Sequence, residues 1–212
     1  MIDRVASGVT KGTMEMTLDM VAQDIKTRLI EGGKMRKSAF HTLVVGTSDI
    51  DLRVMVLREF DPVTGTLRFH TDLRSPKVAA VTNDPQMTVL AYDSEAKVQI
   101  RMRGKGRVES SGPIADKAWS EATNFAKRCY LAEAPPSSPS DGPVSGLPDW
   151  IEGITPEDAQ VAAARENFAV LLVSVREFDW LYLANTGHRR AKIVVRSSSG
   201  DGASAATQWL VP

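Results

Sequence analysis

The apolar residues of this chain change period at Gly32-Gly33, and that switch limits the possible fold more than any other feature. Before it, Leu18, Val21, Ala22, Ile25 and Leu29 recur at helical spacing behind Thr17, a good capping residue. The pattern predicts a helix from about Thr17 to Glu31, with the two glycines ending it in the left-handed conformation. After the switch the apolar residues alternate. Phe40 to Gly46, Leu52 to Phe60, Thr66 to Thr71, Met87 to Tyr92 and Val98 to Glu109 all read as strands, with Asp61-Pro62-Val63-Thr64-Gly65 as a hairpin connection.

Further helices are predicted at Ser75 to Thr82, Pro113 to about Arg128 and Pro156 to Glu166. Strands follow near Phe168 to Val175, Trp180 to Leu183 and Ala191 to Arg196, before an apolar tail, Trp209-Leu210-Val211-Pro212. Strands in closely spaced hairpins with helices at the ends and between pairs indicate a mainly β chain with flanking helices, an α+β antiparallel barrel. No internal repeat is visible, so residues 1–212 read as one domain. The Pro-, Ser- and Gly-rich stretch 134–148 is a loop or a lid.

Composition removes several function classes. Basic and acidic residues balance at 26 each, which argues against a nucleic-acid or anionic-membrane partner and leaves any anion site to local clustering. Cys129 is the single cysteine, so no internal disulfide or cysteine-rich metal site can form, and a structural thiol in a reducing compartment is expected. Met1 to Met16 lacks the apolar core of a signal peptide, and no apolar run is long enough to span a bilayer. A cytoplasmic protein is expected.

Three segments carry candidate chemistry. In Thr71-Asp72-Leu73-Arg74-Ser75-Pro76-Lys77 a strand gives way to a helix, with Ser75 at the cap and Pro76 at the first helical position. Free amides at that helix start attract phosphate, and Lys77 opposes the dipole unless an anion compensates it. A plain capped helix with a solvated lysine would look the same. In Leu52-Arg53-Val54-Met55-Val56-Leu57-Arg58 two arginines bracket an apolar strand centre and point to opposite faces; both could simply snorkel. In Val98-Gln99-Ile100-Arg101-Met102-Arg103-Gly104 a polar stripe headed by Gln99 alternates with an apolar one, as in an ordinary solvated sheet face. His41, His70 and His188 lie far apart, and no metal-ligand spacing, phosphate-binding loop or nucleophile elbow occurs.

In this order the segments resemble the pyridoxamine 5′-phosphate oxidase family of split barrels that bind flavin mononucleotide (FMN). The likeness runs from about Ala39 to Glu109 and resumes from Phe168 to Pro212. It is carried by Arg53 with Leu57-Arg58, by His70-Thr71 followed by Ser75-Pro76-Lys77, and by Gln99 to Gly104. Trp180 ten residues before Arg190, and the ending Trp209 to Pro212, complete it.

The resemblance implies a six-stranded split barrel and a homodimer with FMN at the interface, segment 168–212 contributing to dimerisation. It places Arg53, Ser75, Pro76 and Lys77 at the FMN phosphate with His70 and Thr71 nearby. Val54, Met55, Val56, Leu57 and Arg58 would line the ring, and Gln99, Trp180 and Arg190 would close the site from the partner subunit. Arg58, His188 and Arg190 would handle a small-molecule substrate. Three departures stand out: Pro76 replaces an arginine of the phosphate turn, His70 stands where the family has an aromatic residue, and Thr186-Gly187-His188 keeps the family's substrate histidine while losing the arginine before it. An oxidase of pyridoxamine or pyridoxine phosphate is the first expectation. A flavin reductase, another FMN-dependent oxidoreductase, or a non-catalytic binder of FMN or haem are the alternatives.

Overall fold

A computed structural model describes residues 16–196 and 204–212. The expectation for Met1 to Met16 thus lies almost wholly outside the described residues. Helix α1 (Leu18–Lys34) is capped by Thr17, whose hydroxyl accepts from the Met20 N–H at 3.2 Å. Its buried face is Val21, Ile25, Leu29 and Gly32. The helix runs through both glycines instead of stopping at them. A side chain on Gly32 would put its Cβ 2.4 Å from the Phe40 carbonyl oxygen, so close packing rather than left-handed geometry explains that residue.

The strands are β1 (Thr42–Thr47), β2 (Leu52–Val56), β3 (Glu59–Asp61), β4 (Thr66–Asp72), β5 (Gln86–Asp93), β6 (Val98–Glu109), β7 (Phe168–Tyr182), β8 (Arg189–Arg196) and β9 (Ser204–Leu210). All pair antiparallel, in the order β2-β1-β5-β6-β7-β4-β3, with the β8–β9 hairpin added on β7. β1, β2 and β4 to β7 make the wall of the expected six-stranded split barrel. β2 bends back toward β4, where the Arg58 N–H donates to the Arg68 carbonyl at 2.9 Å. The expected single strand Leu52 to Phe60 therefore breaks after Val56.

The two strands expected between Phe168 and Leu183 are one, β7, whose first half pairs with β4 and whose second half pairs with β8. Its register against β6 shifts between Arg103 and Gly104. At that bulge a Cβ on Gly104 would lie 2.3 Å from the Ser174 carbonyl oxygen, so only glycine lets the strands meet.

Helix α2 (Pro76–Asn83) follows β4, and α3 (Pro113–Glu121) follows β6. The helix expected to continue to Arg128 stops at Ala122. Thr123 then caps a new short helix, α4 (Asn124–Lys127), and a 3-10 turn covers Arg128–Leu131. The helix expected at Pro156 to Glu166 is likewise a single turn, α5 (Asp158–Val161), running into a 3-10 segment, Ala162–Asn167. The barrel core includes Leu43, Val45, Leu67, Phe69, Val89, Ile100 and Met102, with α1 plugging one end. Ala115 and Ala118 of α3 pack separately on Phe168, Val170 and Leu172 across the outer face of β4 and β7. No helix among the described residues is long and apolar enough to cross a membrane.

Candidate functional site

Strand alternation sends Arg53 and Arg58 to different places, and each ends in a distinct polar cluster. The first cluster lies where β4 meets α2. Thr71 and Ser75 are buried, their hydroxyls 3.2 Å apart, and Ser75 Oγ donates to the Asp72 carbonyl at 2.7 Å. Ser75 thus holds the cap position without its side chain bonding a helix amide. Lys77 Nζ donates to Ser75 Oγ at 3.0 Å and reaches Thr71 Oγ1 at 3.5 Å. Asp72 is neutralised by Arg74, which grips it through Nε at 3.0 Å and Nη2 at 2.7 Å. Arg53 arrives from β2, donating to Thr47 Oγ1 at 3.0 Å and pairing with Asp51.

Burial, and next the charge of Arg53, hold the Lys77 amine below its ordinary value. Two cations therefore share a partly buried corner at a helix N-terminus, and Lys77 faces only hydroxyls among its hydrogen-bond partners. This donor set fits a phosphate. Pro76 contributes no side-chain donor and is exposed.

The second cluster lies in a cleft of ≈ 600 Å³ between β2, β4 and the α3–α4 segment. Arg36, Val56, Arg58, Arg68 and His70 line it, as does Cys129. His70 was expected beside the cofactor with Thr71; neighbouring residues of a strand face opposite sides, and His70 belongs to this cleft instead. Burial, with Arg58 and Arg68 beside it, pushes its pKa to about 3, so the imidazole is neutral. Cys129, expected as a structural thiol, is free and exposed. Arg68 was not singled out from sequence. Its signal was present: Arg68 and His70 form the polar face of β4 opposite Leu67 and Phe69.

The expected ring-lining strand is mixed. The side chains of Met55 and Leu57 point into the core, Val54 is 67% exposed, and Val56 borders the cleft.

On the outer face of β6, β7 and β8, Asp179 is only 5% exposed and accepts from Arg190 Nε at 3.0 Å and Nη2 at 2.7 Å, with Arg101 on the same carboxylate. Gln99 is half-buried on that face, and Arg190 pairs with Leu181 opposite it. Trp180 is not there. Ten residues bring it to the strand next to Arg190, but its partner is Ala191, and its ring points inward, 3% exposed. The indole N–H donates to Asp24 of α1 at 2.8 Å. Trp180 therefore anchors α1 to the sheet, on the opposite face from Arg190, where it lines a cleft with Met20, Asp24 and Tyr182.

Replacement by phenylalanine is expected to cost about 1 kcal/mol, the loss of one hydrogen bond to a partly solvated carboxylate. FMN affinity is expected to stay within twofold. Denaturant unfolding and a flavin titration of Trp180→Phe read both; a tenfold loss of FMN would restore its role at the flavin.

His188 is exposed in the β7–β8 turn, and neither it nor Arg190 lines the Arg58 cleft of the same chain. Two further basic residues, Arg128 and Arg189, bond to backbone carbonyls, although the buried Nε of Arg128 finds no partner among the described residues. Arg128 Nη1 donates to the Ile154 carbonyl at 2.6 Å, and Arg189 Nη1 to the His188 carbonyl at 2.9 Å. Tyr130 packs edge-on to Phe168, and burial raises its hydroxyl pKa. Among the described residues no group of His, Cys, Asp and Glu gathers as a metal ion would need.

Residues 21–110 match the family model described as pyridoxamine 5′-phosphate oxidase, FMN-binding domain. A search of curated protein sequences finds no match. Among solved structures, a pyridoxamine 5′-phosphate oxidase-related, FMN-binding protein from Nostoc punctiforme is similar at TM-score 0.65 and 21% identity, covering 94% of this chain and 100% of that one. PhzG from Burkholderia lata, in complex with tetrahydrophenazine-1-carboxylic acid, is similar at TM-score 0.60 and 18% identity, covering 90% and 91%. The fold is that of the pyridoxamine 5′-phosphate oxidase-like split barrels.

Proposed function

We propose that this chain, whose residues 21–110 match the FMN-binding domain of the pyridoxamine 5′-phosphate oxidase family, is an FMN-dependent oxidoreductase of small molecules, cytoplasmic and homodimeric. The observation that carries the reading is the cluster of Arg53, Thr71, Ser75 and Lys77, with Lys77 meeting only hydroxyl partners. Arg53 and Lys77 would bind the FMN phosphate through charge-assisted hydrogen bonds, and Thr71 and Ser75 would add hydroxyl donors. Bound FMN supplies two-electron redox chemistry at its ring. The chain's own task is to orient a substrate beside that ring and exclude water from it. Arg58 is an exposed cation of the cleft and the candidate for that orientation. Gln99 and Arg190, on the outer face of the sheet, would act across the dimer on the flavin bound by the partner subunit.

A substrate other than pyridoxamine 5′-phosphate is favoured by a specific observation. Thr186 stands where the family has an arginine, and the neighbouring Arg189 turns its Nη1 onto the carbonyls of Gly187 and His188. Losing one arginine contact to a phosphate removes about 1.5–3 kcal/mol, or about ten- to a hundredfold in affinity. Steady-state oxidation of pyridoxamine 5′-phosphate by the FMN-saturated protein is expected to fall more than tenfold below an authentic oxidase assayed alongside. A specificity constant within tenfold would show that Thr186 is tolerated.

A further inference from the structure

We propose that Arg68 and His70 are the specificity-determining pair of the ≈ 600 Å³ cleft, reading an oxyanion, carboxylate or phosphate, on a small planar molecule. The cleft's role as a substrate site rests on the function proposed above, whereas binding in it does not.

Arg68 stands in mid-strand with its side chain only 14% exposed. Its Nη2 forms an ion pair with Glu59 at 3.1 Å and donates to Glu121 at 3.3 Å, which fixes the guanidinium, yet among the described residues its buried Nε has no hydrogen-bond partner. Two residues along the same face, His70 Nε2 is also buried without a partner, its ring held edge-on to Phe168 at 4.9 Å. Arg128 Nε, whose guanidinium lies over the cleft residue Phe125, is a third such nitrogen; native proteins rarely leave buried nitrogens unsatisfied, and a site for a bound group is one standard reason. Strand pairing and the aromatic contact fix both residues in place, so the pair is pre-organised.

The charge around the pair selects the ligand. Arg36, Arg58 and Arg68 line the cleft, and the two carboxylates nearby, Glu121 in the lining and Glu59 beside it, both engage Arg68 and leave Arg36 and Arg58 unbalanced among the described residues. The excess is positive, and an oxyanion balances it. His70 remains uncharged between the guanidiniums and adds no further charge, and as its Nε2–H tautomer it would donate to an oxyanion. Val56 and Phe125 supply apolar walls for a flat body. The family pattern has an aromatic residue at His70, so an apolar contact there is replaced by a polar one.

The test compares benzoate, phenyl phosphate and neutral benzamide on the FMN-saturated full chain by titration calorimetry. At least one anion is expected to bind tenfold or more tighter than benzamide, and the tighter of the two identifies the oxyanion. His70→Phe is expected to lose at least tenfold of that affinity, and His70→Gln, which keeps an N–H donor, to stay within threefold. Arg68→Met should lose as much as His70→Phe; if it fails to fold, the two His70 variants decide. FMN affinity, titrated separately, should remain within twofold in the His70 variants. Anions no tighter than benzamide, a His70→Phe that binds like the parent, or a His70→Gln as weak as His70→Phe would each overturn the assignment. If FMN does not bind at all, the function proposed above fails, and the same titrations run without flavin still decide the cleft.

Discussion

FMN is expected to bind at least a hundredfold tighter than riboflavin, and Lys77→Met is expected to remove at least tenfold of the FMN affinity while leaving riboflavin unchanged. The difference between the two flavins is the phosphate. A hydrogen bond to a charged group contributes about 1.5–3 kcal/mol, and two such bonds, from Arg53 and Lys77, amount to about a hundredfold or more. The same corner makes a second forecast for the ligand-free chain. Lys77 has a folded pKa below the 10.5 of an ordinary lysine, through burial first and Arg53 second. The folded state therefore disfavours its charged form. That penalty is fully present at neutral pH, below both values, and fades as pH rises from the lowered folded value toward the unfolded one. Lys77→Met should accordingly raise the melting temperature of the ligand-free protein at pH 7, by an amount that shrinks in strong base. Fluorescence titration and thermal melts read the two effects. Equal affinity of the parent for both flavins would contradict the phosphate assignment.

Asp179→Asn is expected to be the most destabilising of the polar substitutions in the sheet, by about 2–3 kcal/mol. Breaking a buried ion pair from one side commonly costs about 3–5 kcal/mol, because the remaining charge is stranded. Here the stranded arginines, Arg101 and Arg190, are partly solvated, which places the value at or just below the low end of that range. In a chain of this size that is a fall of about 5–10 °C in melting temperature. Burial opposes the charge on Asp179, but the hydrogen bonds from Arg190 and Arg101 outweigh it and hold the carboxyl below 3.8. Its contribution is thus complete above the unfolded value and is lost as pH falls through the lower folded one. The gap between parent and variant should close in acid. A variant melting within 1 °C of the parent at pH 7 would show that the triad contributes nothing. The triad also bears on Arg190, which is held bidentately within its own chain and could reach a flavin only by sharing or leaving Asp179.

Regular alternation was the most readable property of the sequence. β6 runs from Val98 to Glu109, as its alternating pattern predicts, because one face is core throughout. The boundaries that moved are those decided by tertiary contact. Gly32 looks like a helix terminator and is instead a packing gap for Phe40. The second half of β7 carries charges that break the apolar pattern, and only its partners on β6 and β8 keep it in the sheet.

For the candidate site, the local grouping of Thr71, Ser75 and Lys77 was legible because a strand end and a helix start fix their geometry. The convergence of Arg53 on Lys77 required the resemblance. That Trp180 and Arg190 lie on opposite faces was not legible, because spacing sets the strand on which a residue falls, whereas strand parity sets its face. Arg68 was not singled out and His70 was grouped with Thr71 at the cofactor, because only the placement of α3 and α4 over that face of β4 makes it the wall of a cleft.

The central claim is that this chain holds FMN, and the most direct measurement identifies what the purified protein releases on denaturation, by absorbance and mass. The expected result is a flavin spectrum with the mass of FMN, in up to one equivalent per chain. Haem, riboflavin, or a protein that neither releases FMN nor takes it up when supplied would contradict the claim.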